Sequence, residues 1–221
     1  FDKKLISMGD LIKILENNFE GYEPIHQKLM YKTPKYGNDD DYADSITKQV
    51  FNLVFNAIDN RPNTKGGVHR INLLPTTVHV YFGQVTGATP DGRKAYMPLS
   101  EGISPVQGMD VNGPTAVIKS AGKIDHLRTG GTLLNQKFTP QFLSDQNKIN
   151  KLVHLIRAYF EMNGHHIQFN VVSADTLRAA QKNPEKYRNL IVRVAGYSDY
   201  FVDLGTVLQN EIISRTEHSA I

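Results

Sequence analysis

The 221-residue chain has the apolar, aromatic and charged fractions of an ordinary globular protein and a formal net charge of only +3. That length supports a substantial core and leads one to expect one domain, while so small and scattered a charge argues against a nucleic-acid surface. No apolar run approaches a membrane span, FDKKLISMGD lacks a signal peptide's apolar stretch, and cysteine is absent; these point to a cytoplasmic location and exclude disulfides, thiolate metal sites and a thiol nucleophile from these residues.

In chain order, GDLIKILENNF (9–19) spaces Leu11, Ile12, Leu15 and Phe19 as one face of a short helix. A loop then runs through YKTPKYGNDDDYADS (31–45), rich in Pro, Gly, Asn and Asp, and Asp44 or Ser45 is placed to cap a helix running to about Asn60. That helix is expected to bury Ile46, Val50, Leu53, Val54, Ala57 and Ile58. HRINLLPTTVHVYFG (69–83) reads as a strand from its β-branched and aromatic content, with Pro75 at an edge or bend. Residues 83–113 read as long loops, and Pro114 opens a helix ending near Gly122. GGTLLNQKF then predicts a strand, DQNKINKLVHLIRAYFEM a helix and HHIQFNVV an alternating strand. Residues 175–190 read as two helical pieces divided by Pro184, followed by a strand LIVRV, a loop GYSDYFVD and a last helix bearing Val207, Leu208, Ile212 and Ile213. Strands alternating with helices predict an α/β architecture with parallel pairing.

The segment IVRVAGYSDYF (191–201) resembles the radical-glycine fingerprint of the glycyl radical enzymes, the family of pyruvate formate-lyase and several radical dehydratases. Arg193, Val194, Ala195, Gly196 and Tyr197 match in order and spacing, and LQNEIISRTEH (208–218) matches the pattern downstream. PKYGNDDDYAD, GATPDGR, LSEGISPVQG, GGTLLNQKF and GHHIQFNVVS extend the resemblance over most of the chain. Asp199 departs from it, since many members carry a small residue there.

The resemblance implies a ten-stranded α/β barrel of two five-stranded halves, with this chain supplying much of the carboxy-terminal half. Residues 175–221 would form the glycyl loop and closing helix. It implies radical storage on Gly196, supported by Arg193, Val194, Ala195 and Tyr197, with no permanently bound cofactor. A radical S-adenosylmethionine activating enzyme would install the radical, which a cysteine would then relay to a small-molecule substrate. An α-carbon radical is stabilised by its electron-donating amide nitrogen and electron-withdrawing carbonyl, and glycine suits it because no Cβ crowds the flattened carbon. Oxygen destroys such a radical, so the loop is expected to be buried and the aromatic Tyr197, Tyr200 and Phe201 to pack around it. Because this sequence holds no cysteine, the thiyl loop would lie in a cysteine-bearing amino-terminal portion, and this chain would be inactive alone. The family also implies a homodimer. The wording of LLPTTVHVYFG and GYSDYF resembles the radical dehydratases more than pyruvate formate-lyase itself. Alternatives are a spare-part protein that repairs an oxygen-damaged partner, or a folded remnant without a radical.

Other candidates have plainer readings beside the functional ones. Thr76 and Thr77 would share a barrel strand with Leu74 and Val78, either contacting substrate or merely packing. TPDGR (89–93) reads as a turn, with no chemistry for Asp91 or Arg93. His165 and His166, neighbours on a strand, would face opposite ways and could not share an ion, and Asp39, Asp40 and Asp41 read as a solvated acidic loop. A half-barrel on its own would expose apolar strand faces and associate with itself or a partner.

Overall fold

The computed structural model describes residues 6–220. The first five residues, part of the segment searched for a leader, lie outside the described residues. In chain order the elements are α1 (Met8–Glu16), α2 (Glu23–Tyr31), α3 (Asp41–Ile58), α4 (Val78–Gln84), α5 (Pro114–Gly122), β1 (Leu134–Phe138), α6 (Gln146–Glu161), β2 (Ile167–Val171), α7 (Ala174–Lys182), β3 (Ile191–Arg193), β4 (Ser198–Tyr200), α8 (Thr206–Ser214) and β5 (Glu217–His218). The chain divides into two compact units where length alone suggested one domain.

The first unit joins the residues up to Pro34 with Val78–Leu99. Ser7 caps α1 by accepting from the Asp10 N–H, and Leu11 and Ile14 turn inward, whereas Ile12 is exposed. The predicted strand over 69–83 is not formed in this region: residues 78–84 are the helix α4, whose buried members are His79 and Gly83. Local β-propensity did not decide the outcome, and Gly83 lets α4 lie close to Met97, where an added Cβ would sit 2.3 Å from the carbonyl oxygen. TPDGR is a turn, with the Thr89 N–H bonded to the Arg93 carbonyl at 2.9 Å and Gly92 at φ +102°. Arg93 is nevertheless buried, and its guanidinium donates to the carbonyls of Met97, Lys94 and Gly87, tying this loop together.

The second unit joins residues 35–77 with 100–221. Its three-stranded sheet runs β2–β1–β5, all parallel, and β3 and β4 form a separate antiparallel pair. One core cluster packs β1 against α5 and α6 through Leu134, Phe138, Val117, Leu155 and Tyr159. A second holds Val172, Leu177, Val192, Phe201 and Ile212 together around β3, α7 and α8.

Helix α3 reverses the expectation for its buried face. Ile46, Val50, Leu53, Val54, Ala57 and Ile58 are exposed, Leu53 to 70%, and the inward residues are Asp44 and Phe51. Phe51 joins the core cluster around β1, with Phe55 packed against it, and a polar contact fixes the same side. Asp44 accepts from Lys123 Nζ at 2.7 Å and Ser120 Oγ at 3.0 Å, both on the segment that carries α5. The cap is Asp40, which accepts from the Ala43 N–H, instead of Asp44 or Ser45. Asp39 and Asp41 also bind Lys123, so the acidic run is an anchor as well as a solvated surface, Asp41 keeping 98% of its side chain exposed. Burial works against the charge on Lys123, but Asp44, Asp41 and Asp39 outweigh it and hold its ammonium above the usual lysine range.

Candidate glycyl radical site

β3 and β4 pair with Arg193 opposite Ser198, leaving residues 194–197 as the connecting loop. The Val194 N–H closes it onto the Tyr197 carbonyl at 2.8 Å. Val194 and Ala195 point into the second core cluster and anchor the loop from below. Gly196 follows at φ +84°, a left-handed conformation that favours glycine. An added Cβ there would meet only Leu133 Cδ1, at 3.3 Å.

Of the aromatic residues expected to enclose the loop, Phe201 is fully buried, but Gly196, Tyr197 and Tyr200 are exposed. The expected burial of Gly196 is therefore not supplied by the described residues of this chain. Arg193 supports the hairpin through its backbone: its N–H donates to Asn170 Oδ1 and its carbonyl accepts from Asn170 Nδ2, both at 2.8 Å. Its guanidinium bonds Ser198 Oγ at 3.1 Å.

Beneath the loop lies a polar face that the sequence reading did not single out. Side chains alternate along a strand, so Asn135 and Lys137 of β1 share one face with Gln168 and Asn170 of β2, with Asn135 and Gln168 directly paired in register. Gln168 Oε1 accepts the Gly196 N–H at 3.1 Å. Gln168 Nε2 donates to Asn135 Oδ1, and Asn135 Nδ2 donates to Glu101 Oε2. Ser104 Oγ adds a bond to the same carboxylate oxygen at 3.1 Å and accepts the Asn135 N–H at 2.9 Å. The signal was present in HHIQFNVV, where strict alternation sets Gln168 and Asn170 against Ile167, Phe169 and Val171.

Further along that face, Glu211 and Arg215 form a buried pair at 2.7 Å, and Gln107 donates to Glu211 at 2.9 Å. Lys137, with 1% of its side chain exposed, donates to the Ile213 carbonyl at 2.9 Å near the end of α8. Burial pushes its ammonium down to about 8 from an ordinary 10.5. Between those two values the unfolded chain binds more protons than the native one, so stability rises with pH across that window. The expected gain is at most about 3 kcal/mol; urea unfolding at pH 8 and pH 10 should register it, and Lys137→Met should flatten it.

Two family profiles match the chain, one described as pyruvate formate lyase-like over residues 1–83 and one as glycine radical over residues 99–202. The glycine radical match contains the hairpin and Gly196. The chain belongs to the glycyl radical enzyme family. Among its relatives, the trans-4-hydroxy-L-proline dehydratase of Clostridioides difficile is 56% identical over 99% of this chain and 28% of its own length. The isethionate sulfite-lyase of Nitratidesulfovibrio vulgaris is 46% identical over 100% of this chain and 27% of its own length. The crystal structure of the Clostridioides difficile hydroxyproline dehydratase with trans-4-hydroxy-L-proline bound superposes with a TM-score of 0.97, covering 99% of this chain and 28% of that one. The B12-independent glycerol dehydratase of Clostridium butyricum, 47% identical, gives 0.94 over the same shares. The chain thus spans little more than a quarter of the length of these relatives, and it shares their α/β fold.

The other candidates of this glycyl radical chain fall elsewhere. Thr76 and Thr77 occupy a turn instead of a strand; Thr76 is exposed at φ +52° with its hydroxyl on the Pro75 carbonyl at 2.6 Å, and Thr77 is half-buried. Strand-like pairing in this stretch is confined to Leu73, which bridges Thr132. His165 lies with its ring 6.0 Å from that of buried His126. Burial, then the Arg193 charge, holds His166 below the usual histidine range, favouring its neutral form. Among the described residues no three His, Cys, Asp or Glu side chains are grouped to hold a metal ion, and no helix is long and apolar enough to cross a membrane.

Proposed function

We propose that this chain is the radical-storing portion of a glycyl radical dehydratase or related lyase, with the radical on Gly196 and the 175–221 segment as its glycyl loop and closing helix. The observation that carries the reading is Gly196 itself: a glycine at φ +84° on the tip of a short hairpin, open on one side and held by its N–H on the other. Val194 and Ala195 anchor that tip, Arg193 secures the strand leading to it, and Tyr197 closes the loop. An S-adenosylmethionine-dependent activating enzyme would remove one hydrogen atom from the Gly196 α-carbon, leaving a planar centre stabilised by the flanking amides.

The cysteine that attacks substrate would come from a portion outside this chain, which has none, so the chain alone is catalytically incomplete. Two features support that assignment: the exposed side of Gly196 and the bare aliphatic face of α3, whose Val50, Leu53 and Val54 need covering in a stable assembly. The assembled enzyme would be a homodimer in the cytoplasm. A protein that only replaces a damaged glycyl loop would have no use for the match over residues 1–83. Likeness to the two dehydratases favours elimination of water from a small hydroxylated compound, trans-4-hydroxy-L-proline first among those to screen. Thr76 or Thr77 is the substrate contact proposed from this chain.

Oxygen offers the test. After anaerobic activation of the complete enzyme, admission of air should cut the chain at Gly196 and release a fragment ending at or beside Ala195, seen by mass spectrometry. An activated enzyme that loses its radical in air with its chain intact, or is cut elsewhere, would remove Gly196 as the storage site.

A further inference from the structure

The polar relay under the glycyl loop has a fixed direction, and its direction is set by its two ends. At one end stands the Gly196 N–H, which can only donate; the atom of Gln168 facing it, 3.1 Å away, must therefore be the amide oxygen. That places the Gln168 NH2 against Asn135, whose facing atom must accept, and so the Asn135 NH2 is turned to Glu101. At the far end Ser104 makes the same demand independently. Its hydroxyl accepts the Asn135 backbone N–H at 2.9 Å, leaving its own hydrogen for Glu101 Oε2 at 3.1 Å. The carboxylate oxygen thus receives two donors. Every polar group in the series points one way, and reversing any amide would set donor against donor or oxygen against oxygen.

The relay is also buried where its target is not. Glu101, Gln168 and Asn135 are 2%, 4% and 9% exposed, whereas Gly196 lies open on its outer side. In a dry setting hydrogen bonds in series polarise one another, so an accepting carboxylate at one end strengthens acceptance by Gln168 at the other. An oxygen accepting the Gly196 N–H pushes electron density onto the amide nitrogen and holds the plane of that peptide.

We propose that Gln168, oriented by Asn135 and Glu101, is a positioning residue that tunes the radical glycine by strengthening nitrogen donation to its α-carbon and fixing the loop in which that carbon flattens. This deepens the reading of Gly196 as the storage site and rests on it for its role, though the relay itself can be measured without any radical. Asn135 and Glu101 act on the loop only through Gln168. Their substitution reaches Gly196 without touching it.

Two variants and two readouts test this in the complete enzyme. Gln168→Met keeps the length of the side chain and removes the acceptor; Asn135→Leu keeps the shape and frees the Gln168 amide to turn. In the resting enzyme, amide hydrogen exchange at Gly196 is expected to quicken about tenfold in each, the worth of one net hydrogen bond, while exchange at Phe138 in β1 stays as in the parent. In the activated enzyme carrying 15N-glycine, the nitrogen coupling of the radical is expected to fall and its lifetime to shorten. Should Asn135→Leu fail to fold because Glu101 loses one of its donors, Gln168→Met carries the decision. Unchanged exchange at Gly196 in folded Gln168→Met would overturn the relay, as would acceleration matched equally at Phe138. A parent enzyme without a radical, but with Gly196 exchange slowed and then released by Gln168→Met, would leave the relay standing and remove the radical reading. A radical whose coupling ignores Gln168→Met would do the reverse.

Discussion

Gly196→Ala abolishes the radical completely and leaves the chain folded. The two halves of that expectation have different causes. The fold tolerates the methyl group because its nearest neighbour is Leu133 Cδ1, the far end of a flexible side chain, at 3.3 Å. The cost is chiefly conformational, since φ +84° disfavours an L-residue by about 1–2 kcal/mol, and thermal unfolding should show a loss of that order. The radical is lost because a Cβ resists flattening of the α-carbon in this loop and replaces the hydrogen that splits the signal. A variant that still yields the parent's radical signal would place the unpaired electron on another residue.

Lys123→Met is expected to cost about 3 kcal/mol, the largest loss of stability anticipated for a side chain away from the loop. The carboxylate of Asp44 has 1% of its surface exposed and, among the described residues, keeps the Ser120 hydroxyl as its donor once its ion-pair partner is gone. Asp39 and Asp41 lose their common cation in the same step, which separates this pair from an ordinary surface salt bridge. Lys123 and then Lys119 hold the Asp39 carboxyl below its usual range, so its contribution is present above the ordinary carboxylate range and fades as pH falls through the lowered value. Urea unfolding of the variant should therefore show a lower midpoint at neutral pH and a weaker dependence on acid. Adding Asp44→Leu should recover part of the loss, because the uncompensated charge is then removed.

The sequence made the second half of the chain legible because local pattern and tertiary environment agree there. β1, α6 and β2 carry clear periodicity, Pro114 opens α5, Pro184 separates α7 from a short 3-10 turn over Pro184–Tyr187, and the parallel pairing of β1 with β2 follows from the helix between them. Where the two disagree, local reading failed. In α3 apolar spacing selected the Leu53 face, but Phe51 packs into the core and Asp44 pairs with half-buried Lys123, distant in sequence, so the other face lies inward within this chain. In α4 β-branched and aromatic residues form a helix that buries His79 and Gly83, so local propensity gave the wrong element. Short pairing elements were missed because two or three residues carry no period: β4 was read as loop, and β5 gave no signal. At the site, the five matching residues around Gly196 identified the loop, while its buried partners Gln168, Asn135 and Glu101 come from three separate segments that only the folded sheet brings together. The openness of Gly196 belongs to the same class, since what covers a loop is decided by tertiary structure.

The central claim is that the unpaired electron resides on the Gly196 α-carbon. Electron paramagnetic resonance of the complete enzyme, activated anaerobically by its radical S-adenosylmethionine partner after growth on glycine carrying 13C at the α-carbon, addresses it directly. The account predicts a doublet from the single remaining α-hydrogen, further split by the label and absent in Gly196→Ala. A signal indifferent to the 13C label, or one that survives Gly196→Ala, would contradict it.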